Sequence, residues 1–188
     1  MEKKYLFNMA EDSQKVFRIL LDCLSNSGRM ADITEYIEKF RENGDWYALE
    51  ATLLDGEVSF YSNGDENIKR EIEFLTGSNW KDYKEADFIF LTEYVKAENM
   101  ISEVKCGTFV NPHDSATLLI KAEDIPDIEV TLQGVGVPPQ GRKLLITKQE
   151  KNWIENRKLV TSEYPCGVDL IFLRPNGTIY GISRKAGI

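Results

Sequence analysis

Apolar residues along the first half of the chain follow two different spacings. In some segments they recur every three or four positions, as on one face of an α-helix, and in others they alternate or run continuously, as in β-strands. The helical spacing predicts helices over residues 12–24, 46–54 and 67–75. The other spacing predicts strands over residues 30–33, 57–61 and 87–91.

The second half of the chain continues this alternation and ends in a β-hairpin. The pattern predicts strands over residues 116–122, 128–132 and 144–147, and helices over residues 98–104 and 149–160. Asn176 and Gly177 separate two further strands, residues 168–173 and 178–183, and such a pair favours a hairpin because both residues tolerate a positive φ. Interleaved strands and helices predict an α/β fold, in which helices cover a mixed sheet. The 188 residues contain no repeat or linker, which predicts one domain over residues 1–188.

One carboxylate lies at the start of the first hairpin strand. Pro165 and Gly167 form a turn that leads into a continuously apolar run, so we expect this strand to be buried on both sides. A charged Asp169 at its start is costly unless it is paired or hydrogen-bonded. Arg184 follows the second hairpin strand, and antiparallel pairing brings it to the same end as Asp169. Their contact would be a structural ion pair, the favoured interpretation, or part of a ligand-binding site.

Composition excludes several classes of function. The net charge of −8 argues against general nucleic-acid binding, which needs a basic surface. No apolar run is long enough to span a bilayer, and we expect no secretory signal. The cysteines form no C-x-x-C pair, which predicts reduced thiols in a cytoplasmic protein; they are Cys23, Cys106 and Cys166. Cys166, in the turn before the hairpin, is the one cysteine whose position would allow a reactive sulfur to be exposed.

Two local patterns resemble functional motifs but have a simpler interpretation. Gly134 and Gly136 follow a strand, as in a dinucleotide loop, yet Pro139 stands where the third glycine of that motif should be. A turn at the strand end is therefore favoured. His113 is the only histidine and lies in a turn sequence, which favours an exposed loop side chain over a catalytic base. With one histidine and no clustered cysteines, we expect no zinc site.

Residues 142–158 reverse the acidic character of the chain, because they contain six basic and two acidic side chains. Such a segment suits an anionic partner surface or ligand. A solvated helix face is the favoured interpretation.

Four groups of residues occur in an order and spacing that together resemble one family. They are Phe17-Arg18, Leu20-Leu21, Leu24-Ser25 and Gly28; Gly107-Thr108, Pro112 and Ala116-Thr117-Leu118; Leu132, Gly134 and Gly136; and residues 164–171 with Ile182 and Arg184. This set is similar to the PhnH family, the H subunit of the bacterial carbon–phosphorus lyase core complex. The resemblance extends from about Ser13 to Arg184, nearly the whole chain.

The chain departs from the pattern of that family at four positions that restrict or free the backbone. Ser27 stands where members usually have a proline before the first glycine, and Ser183 where they have a proline before the terminal arginine. Ser115 replaces a glycine and Val135 replaces a proline. The loops of this chain are therefore expected to differ, with consequences for complex assembly more than for the fold.

The resemblance implies a three-layer α/β/α fold with a mixed, mostly parallel sheet, similar to the large domain of pyridoxal-phosphate-dependent transferases but without that cofactor. It implies a homodimer in isolation that assembles with the G, I and J subunits. From the acidic charge and the lack of a long apolar run, we expect no binding to nucleic acid or membranes. The assembled complex produces ribose 1-methylphosphonate 5-triphosphate from ATP and methylphosphonate. The H subunit is expected to support this reaction without catalytic residues, cofactors or metals of its own.

The candidates for binding a ligand or partner are Gly134, Gly136, Gly167, Asp169 and Arg184. Two alternatives remain open. One is a small-molecule protein that binds a phosphonate or nucleotide near the last two of these residues. The other is an active relic of a pyridoxal-phosphate enzyme, whose Schiff-base lysine would be Lys105 or Lys121.

Overall fold

Helices and strands alternate in the computed structural model, which describes residues 6–40, 43–93, 95–122, 125–159 and 164–188. The helices are α1 (Glu11–Ser25), α2 (Thr34–Ile37), α3 (Gly44–Leu53), α4 (Glu66–Thr76) and α5 (Lys148–Asn156), and 3₁₀ turns lie at Ala97–Asn99 and Arg157–Leu159. The strands are β1 (Met30–Asp32), β2 (Ser59–Ser62), β3 (Asn79–Trp80), β4 (Phe88–Leu91), β5 (Thr117–Lys121), β6 (Ile128–Gly134), β7 (Arg142–Ile146), β8 (Asp169–Leu173), β9 (Thr178–Ile182) and β10 (Ala186–Gly187).

The strands form one large and one small sheet. The large sheet has seven strands in the order β1-β9-β8-β5-β4-β2-β3. Strands β8, β5, β4, β2 and β3 run parallel, and β9 is antiparallel to both of its neighbours, β8 and β1. The small sheet has three antiparallel strands in the order β10-β6-β7. Strands β8 and β9 form the predicted hairpin around Asn176 and Gly177.

Apolar side chains cover both faces of the large sheet, because its central strands are apolar at consecutive positions. On one face α1, α3 and α4 pack against the sheet, and Leu20, Leu49 and Ile72 are buried there. On the other face α5 and the small sheet bury Trp153 and Ile146. The predicted three-layer α/β/α fold with a mixed, mostly parallel sheet is confirmed.

Two helices next to the sheet begin with side-chain caps that the sequence supplies. The carboxylate of Asp65 accepts a hydrogen bond from the backbone N–H of Asn67 at the start of α4, and Gly77 ends this helix with φ +75°. At the start of α5, Thr147 and Glu150 satisfy each other's backbone N–H groups in a capping box. These caps fix where α4 and α5 begin relative to the strands before them.

Differences from the predicted elements lie in short or irregular segments. The structure adds α2, β3 and β10, which contain two to four residues each and are too short to show a period. The helix predicted over residues 98–104 is reduced to the turn at Ala97–Asn99, although Met100 and Ile101 are buried in the core. The helix predicted over residues 149–160 ends at Asn156 and continues as the turn Arg157–Leu159, and residue 160 lies outside the described residues. None of the described helices combines the length and apolarity needed to cross a membrane.

Candidate functional site

The predicted pair of Asp169 and Arg184 lies at the amino ends of the parallel strands. Asp169 is the first residue of β8 and pairs in register with Thr117, the first residue of β5. Thr117 is in turn in register with Phe88 of β4. Because β9 runs antiparallel to β8, its carboxyl end returns Arg184 to this same edge of the sheet. The hairpin connection alone therefore brings the two charges together.

Asp169 and Arg184 form a charge-assisted contact through three hydrogen bonds. Arg184 donates from Nη2 and Nε to Oδ2 of Asp169 over 2.7 and 3.2 Å, and from its backbone N–H to Oδ1 over 2.7 Å. The side chains are 17% and 23% exposed, respectively, so the pair is partly shielded from water. These bonds offset the cost of placing a carboxylate at the start of a buried strand.

Arg184 also ties two loops to the end of the hairpin. Its Nη1 donates to the carbonyl oxygens of Pro112 and Pro165, over 3.0 and 3.2 Å. The backbone N–H of Gly167 donates to the carbonyl oxygen of Cys106 over 2.8 Å, which joins the same two segments a second time. Asp169, Arg184 and Gly167 therefore lie together in one cluster, whose hydrogen bonds hold the two loops in place.

Gly134 is the last residue of β6, Gly136 lies in the turn that follows, and both permit close backbone approach. Gly134 has φ +112°, and a Cβ atom there would lie 2.2 Å from the carbonyl oxygen of Lys185. Gly136 has φ +77°, and its Cβ would lie 2.5 Å from the carbonyl oxygen of Ser25. The favoured interpretation, a turn at the strand end, is confirmed for these glycines, since both positions are filled by the protein's own backbone.

Ser183 contacts two of the other residues at which the chain departs from the pattern it resembles, Ser27 and Val135. The hydroxyl of Ser27 donates to Oγ of Ser183 over 2.8 Å, and the backbone N–H of Ser183 donates back to Oγ of Ser27 over 3.0 Å. Ser183 Oγ is also 3.3 Å from the carbonyl oxygen of Val135. A proline at position 183 lacks the N–H that this contact uses. The fourth departure, Ser115, lies elsewhere, and its hydroxyl is buried without a partner among the described residues.

Arg157 is a buried residue of this region that sequence reasoning missed. Its side chain is 2% exposed, and its Nη1 donates to the carbonyl oxygens of Ile182 and Ser183 over 2.9 Å each. Its Nη2 donates to the carbonyl oxygen of Ala186. Burial lowers the pKa of Arg157 to about 10. The expectation that residues 142–158 form a solvated helix face is wrong for Arg157, because its guanidinium is buried against the backbone carbonyls after β9. No local sequence pattern indicates this contact.

A cleft of about 540 Å³ opens beside this cluster and carries mainly negative charge. Its lining includes Arg184 and His113 together with the carboxylates of Glu57, Asp87 and Asp114. Burial raises the pKa of Asp87, but hydrogen bonds from Lys105 and Ser59 outweigh it, so the net pKa is below the ordinary value. Because charged carboxylates repel a phosphate or phosphonate, the cleft is poorly suited to an anionic ligand.

His113 is exposed, as predicted, and its Nε2 lies 3.7 Å from a carboxylate oxygen of Asp114. Cys166 is 3% exposed, so its position in the turn does not expose a reactive sulfur. The reason is that the turn folds back under the loop that carries Cys106, which is itself half-buried. Cys23 is buried on α1, as its helical position predicts.

The lysines considered for a Schiff base are both engaged in ion pairs. Lys105 pairs with Asp87, and Lys121 lies 3.3 Å from Asp45. A Schiff-base lysine is activated by an apolar pocket or a neighbouring cation, which is the opposite environment. Across the described parts of the chain, no group of histidine, cysteine, aspartate and glutamate side chains is arranged to hold a metal ion.

Comparison with known proteins shows the family to which the chain belongs. A search of curated proteins finds no match. The model of one family, described as bacterial phosphonate metabolism protein (PhnH), matches residues 5–188, a range that includes the hairpin and the turns around it. The chain therefore belongs to the PhnH family of bacterial phosphonate metabolism proteins.

Proposed function

We propose that this chain is a non-catalytic subunit of the carbon–phosphorus lyase core complex. There it supports the formation of ribose 1-methylphosphonate 5-triphosphate from ATP and methylphosphonate. Its membership of the PhnH family, and hence its role in phosphonate metabolism, supports this proposal. In the same proposal the chain acts in the cytoplasm as one domain, forms a homodimer when isolated and assembles with the G, I and J subunits.

The main support for the proposal is that Arg184 forms its hydrogen bonds within the protein. All three nitrogens of its guanidinium donate to acceptors within the protein, namely Asp169, Pro112 and Pro165. Both carboxylate oxygens of Asp169 accept hydrogen bonds in return. A pair that is satisfied in this way has the geometry of a structural support, because a reacting group would have to give up these bonds.

The loops that Arg184 holds carry exposed apolar side chains, which we call the apolar rim: Phe109, Val110 and Tyr164. They are 63%, 85% and 72% exposed, respectively. Large apolar side chains that remain exposed together on ordered loops are typical of protein–protein contact sites. We infer that the G, I or J subunits dock on the apolar rim.

Co-expression with the G, I and J subunits, followed by size-exclusion chromatography, tests the proposal. The unaltered chain is expected to co-elute with them. The double variant F109S/V110S is expected to elute alone, because it removes apolar contact area without touching the core. The matched control is F74S, which removes a fully exposed phenylalanine on α4, outside the two loops, and is expected to co-elute normally.

Two results would contradict the proposal. One is elution of the unaltered chain alone under every condition. The other is turnover of a phosphorus compound by the isolated chain, which a supporting subunit does not provide. Co-elution of F109S/V110S at the normal level would retain the subunit role and remove the rim as the docking surface.

The two alternatives find less support in the described residues. A phosphonate or nucleotide near Asp169 and Arg184 would meet the carboxylates that line the adjoining cleft. Calorimetric titration with ATP and methylphosphonate checks this alternative. An active pyridoxal-phosphate relic would need one of its lysines freed from an ion pair. The appearance of a visible absorption band after incubation with the cofactor would support it.

A further inference from the structure

A second cavity lies alongside the hairpin, away from the cleft of acidic residues, and has the opposite electrostatic character. It measures about 690 Å³ and opens between the segment after α1 and strand β7. Its cationic lining consists of Arg29, Arg142, Lys143 and Arg174. The described residues that line it include no aspartate or glutamate. We call this cavity the basic groove; it stands out because the chain as a whole carries a net charge of −8.

Arg142 is the cation of the groove that has no carboxylate partner among the described residues. Its Nη1 donates to the carbonyl oxygens of Asn26 and Ser27, over 2.6 and 2.8 Å. These bonds fix the guanidinium just after α1 and, within the part of the chain that the structure describes, use only one of its three nitrogens. The positive charge is therefore held in place, with Nε and Nη2 left to donate to an anion.

The other cations of the groove form ion pairs that differ in how easily a ligand could replace the carboxylate. Arg174 donates to the buried carboxylate of Glu150 over 3.1 Å and is fixed in place. Arg29 and Lys143 form exposed ion pairs with Asp22 and Glu129, over 3.1 and 3.0 Å. Exposed pairs of this kind contribute little free energy, so both side chains are able to turn toward a ligand.

Exposed apolar side chains accompany these charges. Met30 and Leu145 both line the groove and are 39% and 49% exposed, respectively. A purely inorganic anion would leave them in water. A ligand with an organic body would cover them while its charged group contacts the arginines. The mixed lining thus favours an organic anion over a simple ion.

We propose that the basic groove binds a small organic molecule through a phosphoryl or phosphonyl dianion. Two oxygens of the tetrahedral anion accept hydrogen bonds from Arg142, and Arg29 and Lys143 approach from the open side. The organic body lies against Met30 and Leu145. This inference does not depend on the subunit role, because the isolated chain contains every residue that it uses.

Calorimetric titration of the full isolated chain tests the inference with three probes. Inorganic phosphate supplies the anion alone, phenyl phosphate adds an apolar ring, and phenylphosphonate keeps the ring but lacks the ester oxygen. We expect both organic probes to bind more tightly than phosphate, and the tighter of the two identifies the source of the dianion. Binding is expected to weaken at an ionic strength of about 0.15 M relative to low salt, since exposed charges are screened.

Two double variants that remove the same number of positive charges distinguish specific binding in the groove from general electrostatic attraction of the probe. R29Q/K143Q removes the two adaptable cations of the groove and is expected to weaken phenyl phosphate binding by about tenfold. K84Q/K151Q removes the same charge from exposed ion pairs elsewhere and is expected to leave the affinity unchanged. Equal weakening in both variants, unchanged binding by R29Q/K143Q, or absence of heat with all three probes would overturn the proposal. Each of these outcomes is independent of whether the chain co-elutes with the G, I and J subunits.

Discussion

At the residue scale, the Asp169–Arg184 pair shows how one ion pair holds several segments of the chain together. The chain places a carboxylate at the start of a buried strand and an arginine just after the next strand. The arginine then supplies more hydrogen bonds than one carboxylate needs, and the surplus fixes the two loops next to it. The pair therefore offsets the cost of placing Asp169 in a partly buried position, and it also fixes the loops that carry the apolar rim.

Removing the arginine is expected to destabilise the fold. R184A leaves Asp169 partly buried without its partner and frees two carbonyl oxygens, so we expect a loss of about 2–4 kcal/mol in the free energy of unfolding. Urea denaturation followed by tryptophan fluorescence measures this loss. K143A breaks the exposed pair with Glu129 and should change stability by less than about 0.5 kcal/mol. A similar loss in both variants would contradict the structural role of Arg184.

Much of this pair is predictable from the sequence, whereas Arg157 and the serine contacts are not. Asn176 and Gly177 define a hairpin, and a hairpin dictates that the residues at its open ends meet. Arg157 precedes the hairpin and reaches it only because α5 packs across the sheet. Ser27 and Ser183 are likewise distant in the sequence and meet through packing of α1 against β9. Contacts that depend on tertiary packing produce no periodic pattern in the sequence, so they cannot be predicted from it.

At the scale of single elements, α3 differs from the other long helices because it is buried on nearly all sides. Its buried residues include Trp46, Tyr47, Leu49 and Glu50. Both carboxyl oxygens of Glu50 lack a hydrogen-bond partner among the described residues. Burial raises the pKa of Glu50 to about 8, and the nearby charges of Asp45 and Glu71 add to the effect.

This carboxyl makes stability depend on pH in a direction that can be tested. The folded chain keeps the proton of Glu50 up to about pH 8, whereas the unfolded chain releases it near the ordinary pKa of 4.5. Stability is therefore expected to fall as the pH rises between these values and to level off above them. E50Q, which keeps the neutral shape, should be more stable than the unaltered chain at pH 8 and similar to it at pH 4.5. Parallel curves of unfolding free energy against pH for the two proteins would contradict this.

At the scale of the whole molecule, the two packed faces of the large sheet determine which thiols are accessible. Cys23 lies in the cluster formed by α1, α3 and α4, and Cys166 is buried in the turn before β8. Cys106 lies at the edge of the opposite cluster and is half-buried. Only Cys106 therefore has a sulfur within reach of a solvent-borne reagent in the folded chain.

Thiol labelling with an aromatic disulfide reagent measures this difference. We expect one slow reaction in the native protein, from Cys106, since burial raises the pKa of its thiol and lowers the thiolate fraction. All three cysteines should react after denaturation. The variant C106S should abolish the native reaction. Rapid labelling of more than one thiol in the native protein would show that one of the two cores opens more readily than its packing suggests.

The edges of the large sheet have a consequence for recognition. The outermost strands, β1 and β3, contain only three and two residues, respectively. Such short borders offer few free main-chain groups, so another polypeptide gains little by adding a strand to either side. Neighbouring molecules must consequently be selected by the shape and charge of protruding side chains rather than by continuation of the sheet.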